Sequence, residues 1–196
     1  MNRQLLDELL AMKQTDVDTR SRLLAEGRLY GNYAEEMQRV HRGNAAKLDE
    51  IVRREGWPGI SKVGLEGCRA AWLIAQHSIC TPDLQREFLV CLTEASERGD
   101  VPKAQVAYLT DRIRFNEGRP EVYGTVLDWD ERGELTCEVE DAANLDARRK
   151  EVGLPPFAQD LEKHRDEIAA EGGGAPANVA EFKRLQRTWA KSVGWT

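Results

Sequence analysis

Five polar clusters break up otherwise ordinary amphipathic patterns between Gly56 and Leu154: GWPGISKVG (56–64), AWLIAQHS (71–78), AYLTDRIRFNEGR (107–119), VYGT (122–125) and DARRKEVGL (146–154). Polar groups beside apolar helix faces are costly to bury unless they are paired or used, so Gln76-His77, Asp111-Arg112 and Arg148-Arg149 predict a polar site inside a helical domain. His77 has the one side chain whose ordinary pKa lies near neutrality, which suits proton transfer. Asp111 could orient it or act as a base, and Tyr123 could supply a phenol as a second proton donor. Arg112 and Arg148, with Arg149, are the candidate cations for an anionic substrate, since a guanidinium holds carboxylate or phosphate in a bidentate fork. Gln76, Gly124 and Thr125 complete the candidate binding set, with Gly124 permitting close backbone approach. Asp16 and Arg20, at i,i+4 in the polar middle of the first helix, either form a surface pair or turn inward to the same site.

Each of these residues also has a plainer reading. A lone histidine near a helix C-terminus interacts favourably with the helix dipole. Asp111-Arg112 could be an ion pair tying two helices together, Gly124 a bulge, Tyr123 a core aromatic with a wet tip, and Arg148-Arg149 a solvated basic turn.

Several chemistries find no sequence support. GxxxxGK[ST], GxGxxG and GxSxG are absent. His41, His77 and His164 stand far apart with no HExxH spacing, so the sequence assigns no metal ligand and no cofactor. A mixed carboxylate–histidine site built from His77 and Asp111 with His41 or Asp16 stays open.

The elements that must position these residues are mostly helices. Residues 3–26 carry the stripe Leu5, Leu6, Leu9, Leu10, Leu23 and Leu24, with Gly27 and Gly31 as interruptions. A second helix, 33–55, is expected to break at Gly43 and to stop at Gly56. Ser61 is the expected cap of the third helix, and Thr81-Pro82 reads as a hydroxyl cap followed by proline at the first helical position. Further helices follow from Pro102 to Gly118, over 146–153, from Pro156 to about Ala170, and after Asn178 with Glu181 as a capping box. The alternation of Tyr123, Thr125, Leu127 and Trp129, and of Leu135, Cys137 and Val139, around Asp130–Gly133 predicts a β-hairpin near 122–139. The fold class is mainly α: a helical core domain with one small hairpin over 1–157 and a helical extension over 158–196, jointed at Gly172-Gly173-Gly174.

The chain has 196 residues, 41% of them hydrophobic, enough for one domain with a core of its own. A net charge of −6, with no basic block interleaved with aromatics, argues against nucleic acid as a partner. No apolar run approaches the about 20 residues of a membrane span, and the N-terminus lacks a signal-peptide pattern. Cys68, Cys80, Cys91 and Cys137 are widely spaced without CxxC, as expected of reduced thiols in a cytoplasmic protein.

The order of the clusters resembles an uncharacterised bacterial family known only as a domain of unknown function. Its pattern is Asp…Arg, GWP…VG, QH, AYLxDR, YGT and RR…GL. Here these are Asp16/Arg20, Gly56-Trp57-Pro58 to Gly64, Gln76-His77, Ala107 to Arg112, Tyr123-Gly124-Thr125, and Arg148-Arg149 to Leu154, so the resemblance spans about residues 15–155. The chain departs from the pattern at Val126, where the family continues YGT with Gln, and at His41, near which an acidic residue is usual. The resemblance implies a shared site and no named activity.

Three functions compete. The first is a small enzyme acting on a small anionic substrate by acid–base chemistry, with His77, Asp111 and Tyr123 moving protons and the arginines holding charge. The second is a non-catalytic binding or interaction module, in which the polar clusters fix helix register and the final helix meets a partner or a second copy of the chain. The third is a metal-dependent enzyme with a His/Asp site.

Overall fold

A computed structural model describes residues 1–28 and 33–195. The expected interruption at Gly31 lies outside the described residues. The fold is mainly α: α1 (Arg3–Ala25), α2 (Glu35–Glu55), α3 (Ile60–His77), α4 (Pro82–Glu97), α5 (Lys103–Asn116), β1 (Asp128–Trp129), β2 (Leu135–Thr136), α6 (Leu145–Glu151), α7 (Phe157–Ala170) and α8 (Val179–Ser192). The chain divides into two compact units, Met1–Val106 and Ala107–Thr196.

In the first unit the predicted leucine stripe does its work. Leu5, Leu6, Leu9, Met12 and Leu23 of α1 are buried, together with Met37, Ala45, Leu48 and Ile51 of α2. The Asn2 side chain caps α1 by accepting from the Leu5 amide at 3.1 Å. Helix α2 runs unbroken through Gly43, where a glycine is tolerated at some cost in helix propensity. It ends at Gly56, whose φ of 73° is a helix-stopping conformation that a side chain disfavours.

Two caps differ from the expectation. Helix α3 starts at Ile60, and Asp100 rather than Ser61 serves its first turn, accepting from the Ser61 amide at 2.6 Å and from its hydroxyl at 2.9 Å. Pro82 does open α4, but the Thr81 hydroxyl turns back to the Ser78 carbonyl at 3.0 Å. At Gly67 the helices α1 and α3 approach so closely that a Cβ would lie 2.9 Å from Leu6 Cδ1 and 2.7 Å from Val63 Cβ.

In the second unit the hairpin is shorter than the alternation predicts. Only Asp128↔Thr136 and Trp129↔Leu135 pair antiparallel, around a turn in which Asp130 Oδ1 accepts from the Arg132 and Glu134 amides at 2.8 Å each. Upstream, Glu121 bridges Val139 in the parallel sense, so the two strands cannot extend in register. The physical reason is that side chains, described below, bind the backbone of 122–126 in place of a ladder. The final helix is capped by Asn178, whose side chain accepts from the Glu181 amide at 3.0 Å, while the Glu181 carboxylate pairs with Arg184 instead of closing the box. Trp195 beyond it is buried.

Candidate functional site

Three helices of the first unit deliver one titratable side chain each to a single point. Asp16 lies in the middle of α1 and is 1% exposed, although it belongs to a stretch that reads as polar. His41 and Asn44 are neighbours on one face of α2 by their i,i+3 spacing, and both are buried. Asn44 Nδ2 donates to the Met12 carbonyl at 3.2 Å, one turn before Asp16, and so fixes the height at which His41 meets α1. His77 is the last residue of α3. Its position is set from below by Gln85, wholly buried, whose Nε2 donates to the Ala75 and Gln76 carbonyls at 2.7 and 3.0 Å. Both carbonyls lie in the last turn of α3, where backbone donors run short, although Ala75 O also receives the Ser78 amide. Arg42 donates to the Cys80 carbonyl at 3.1 Å and holds the turn that follows.

Asp16 Oδ2 is the focus. His77 Nδ1 hydrogen-bonds to it at 2.8 Å. His41 Nε2 comes within 3.2 Å, close enough for ion pairing, but its direction is wrong for a hydrogen bond. His41 Nε2 and Asp16 Oδ1 are therefore both buried without a hydrogen-bond partner. The far nitrogen of His41, Nδ1, contacts the Tyr33 hydroxyl. The two imidazole centroids stand 4.9 Å apart, tilted by 40°. Asp16 and His41 are sealed, whereas the His77 side chain is 33% exposed and forms the wet edge of the cluster.

Electrostatics follow from this packing. Burial alone would raise the Asp16 carboxyl, but the hydrogen bond from His77 and the two imidazoles held against it more than offset this and keep it well below the usual carboxylate range. His41 is pushed down, chiefly by burial and further by His77, against the pull of Asp16. Burial, then the neighbouring Cys80 and Asp16, raises the Tyr33 phenol far above its ordinary value. The cluster thus contains an ionised carboxylate beside an imidazole that resists protonation.

The second unit gathers the remaining candidates around one loop. Asp111, fully buried on α5, accepts from the amides of Val122 (2.8 Å), Tyr123 (3.1 and 3.2 Å) and Thr125 (3.1 Å), and from the Thr125 hydroxyl at 3.0 Å. Glu121 Oε2 accepts from the Thr125 and Val126 amides at 2.8 and 2.9 Å. The carbonyls of the same loop go to the paired arginines. Arg148 donates to Val122 O at 2.9 Å and also to the Asp141 and Glu140 carbonyls. Arg149, fully buried, donates to Tyr123 O (2.7 Å), Gly124 O (3.0 Å) and Pro155 O (2.7 Å), and its charge is met by Asp160 at 2.6 Å. Burial raises Glu121 to about 8, helped by Asp111 and opposed by the two amides it receives. Gly124 has φ of 64°, and a Cβ there would come within 3.1 Å of Cys137 Sγ and 3.2 Å of the Phe157 ring. A cleft of about 650 Å³ in this unit is lined by Asn116, Glu121, Val126, Cys137, Arg187 and Trp195 among others, and none of the site residues singled out in the sequence is on its wall.

Asp16 and His77, candidates on sequence, and His41, an alternative ligand there, meet at one point. Tyr33, Asn44 and Gln85 support the cluster without being singled out by the sequence. The i,i+3,i+7 series His41, Asn44, Leu48 was the available signal, because two polar residues share a stripe with a core leucine. The carboxylate on His77 is Asp16, and both oxygens of Asp111 are engaged within its own unit. Gln76 is buried, and its carbonyl is held by Gln85. Arg20 stands one turn beyond Asp16 on α1, and Arg112 one residue beyond Asp111 on α5.

A helical protein with a buried aspartate shared by two histidines is thus the class that fold and site define. The chain belongs to the family of unknown function DUF6624, whose model matches residues 3–169. That range extends beyond the 15–155 of the motif pattern and takes in all but the last residue of α7. No curated protein and no solved structure matches the chain.

Proposed function

We propose that the protein is a small enzyme acting by acid–base chemistry, and that its proton-handling centre is the Asp16–His41–His77 cluster. The observation that carries this reading is the 2.8 Å bond from His77 Nδ1 to an aspartate that is 1% exposed, on a histidine whose ring still reaches solvent. A carboxylate on Nδ1 fixes tautomer and ring orientation and leaves Nε2 to exchange a proton with a bound molecule. The orienting role accordingly goes to Asp16 rather than Asp111. Asp111, Tyr123, Thr125, Gly124, Arg148 and Arg149 act by holding the 121–126 loop in shape. For a small anionic substrate, Arg20 is the candidate cation one turn beyond Asp16 on α1.

The setting that goes with this reading is cytoplasmic, in keeping with four free cysteines. No described helix is long and apolar enough to cross a membrane. A second copy of the chain, meeting α8, is the macromolecular partner proposed.

The test is a turnover screen of the purified protein against chromogenic phosphate, phosphodiester and carboxylate esters, run in parallel on His77→Gln and Asp16→Asn. Whatever activity the wild type has should fall by about 10²–10⁴-fold in His77→Gln, the usual size of general acid–base assistance. Unchanged turnover in a folded His77→Gln protein, judged by circular dichroism, ends the proposal.

A further inference from the structure

We propose that Asp16, His41 and His77 bind one divalent transition-metal ion of the zinc class. Each offers one ligand atom, and the three atoms lie within 4.8 Å of one another although they come from three helices. Two imidazoles and a carboxylate suit a borderline ion such as Zn(II) or Co(II), and three protein ligands leave a coordination position for water.

The unpartnered atoms supply the independent argument. Asp16 Oδ1 and His41 Nε2 belong to side chains more than nine-tenths buried and have no hydrogen-bond partner, and His41 Nε2 stands 3.2 Å from the other oxygen of Asp16. A buried ionised carboxylate without its full complement of partners is expensive, and a cation at this point supplies them. The spacing is near what an ion needs. Ligand atoms on a tetrahedral ion, at bonds of about 2.0–2.1 Å, are about 3.4 Å apart. His41 Nε2 and His77 Nδ1 stand 3.2 and 2.8 Å from Asp16 Oδ2, and all three ligand atoms lie within 4.8 Å, so side-chain shifts of less than about 1.5 Å bring each pair to that spacing.

The outer shell fits as well. Metal-bound histidines commonly have their second nitrogen held by an oxygen, and His41 Nδ1 meets the Tyr33 hydroxyl. His77, one-third exposed, lies on the side from which water or substrate would reach the open position. The ion's binding stands on this geometry alone. Its catalytic use rests on the cluster being the reaction centre: with Nδ1 of His77 on the ion, a bound water of lowered pKa would take over the proton exchange otherwise given to His77 Nε2.

The experiment uses the full chain, purified without a histidine tag and stripped with chelator, titrated with Co(II) alone and followed by visible absorption and calorimetry. One equivalent should bind with the ligand-field bands of a low-coordinate nitrogen–oxygen site, and Zn(II) should displace it. His41→Gln and His77→Gln should each weaken binding by more than the about 10–100-fold typical of an outer-shell change, and Tyr33→Phe by an amount within that range. His164→Gln, in the other unit, should bind as the wild type does. Failure of the wild type to bind one equivalent overturns the proposal, as does equal binding by wild type and folded His77→Gln. The two readings separate cleanly. If no ion binds yet His77→Gln loses turnover, the ion is excluded and the reaction centre stands. Stoichiometric binding with turnover unaffected by His77→Gln supports the ion and removes its catalytic role.

Discussion

At the residue scale, the second unit holds two neighbouring buried acids, Asp111 and Glu121. Asp111 receives several backbone amides, while Glu121 receives two and is 2% exposed. With its pKa raised to about 8, Glu121 carries a proton in the folded protein that it has lost in the unfolded chain anywhere above its ordinary value of 4.5. The folded state then binds more protons than the unfolded state, so stability falls as pH rises through this window and levels off above about 8. Glutamine reproduces the protonated form, since its carbonyl accepts the same two amides and its NH₂ can face Asp111. Glu121→Gln is expected to match the wild type near pH 5 and to exceed it in urea denaturation at pH 8. Parallel pH profiles for the two proteins would contradict this assignment.

At the scale of elements, two glycines inside helices should respond in opposite directions. Gly43 has no atom within 4 Å of where its Cβ would be, and it is exposed in mid-helix. Gly43→Ala should therefore stabilise by about 0.8–1.0 kcal/mol, the difference in helix propensity. Gly67 faces Leu6 and Val63, so Gly67→Ala should cost about 1–3 kcal/mol through overpacking. Thermal or urea denaturation of the two single variants reads both signs. The same contrast explains how much of the fold was legible. Helix positions and stripes could be read because burial follows the 3.6-residue period, as at Leu5, Leu9 and Met12. The break expected at Gly43 was not real, because a glycine lowers propensity without forbidding helix. The small hairpin expected near 122–139 forms, but its paired strands are shorter than the alternation, because alternation reports only which side chains are apolar. It is silent on whether Asp111 and Arg149, from distant helices, have already taken the backbone groups a ladder would need.

For the molecule as a whole, the site was legible as a set of residue types and not as a set of partners. Asp16, His41 and His77 are separated by 25 and 36 residues, and only the packing of α1, α2 and α3 makes them neighbours. The family match ends at 169, before α8 begins, yet α8 lies in the second compact unit and Trp195 beyond it is 1% exposed. Leu185 of α8 remains 36% exposed, and the proposed pairing of two chains through α8 would place it at the contact. Light scattering of the wild type should give a mass above one chain, falling to one chain in Leu185→Glu with an unchanged helical spectrum. Equal masses for the two proteins would exclude α8 as the interface.

The clasp around residues 121–126 has a consequence for isotope exchange. Amides usually exchange slowly because they sit in helices or ladders, and loops exchange quickly. Here the amides of Val122, Tyr123, Thr125 and Val126 belong to no regular element, yet each donates to a buried carboxyl. Deuterium should enter this irregular stretch only as fast as Asp111 and Glu121 let go, so its uptake would track the breathing of two side chains instead of the fraying of a helix.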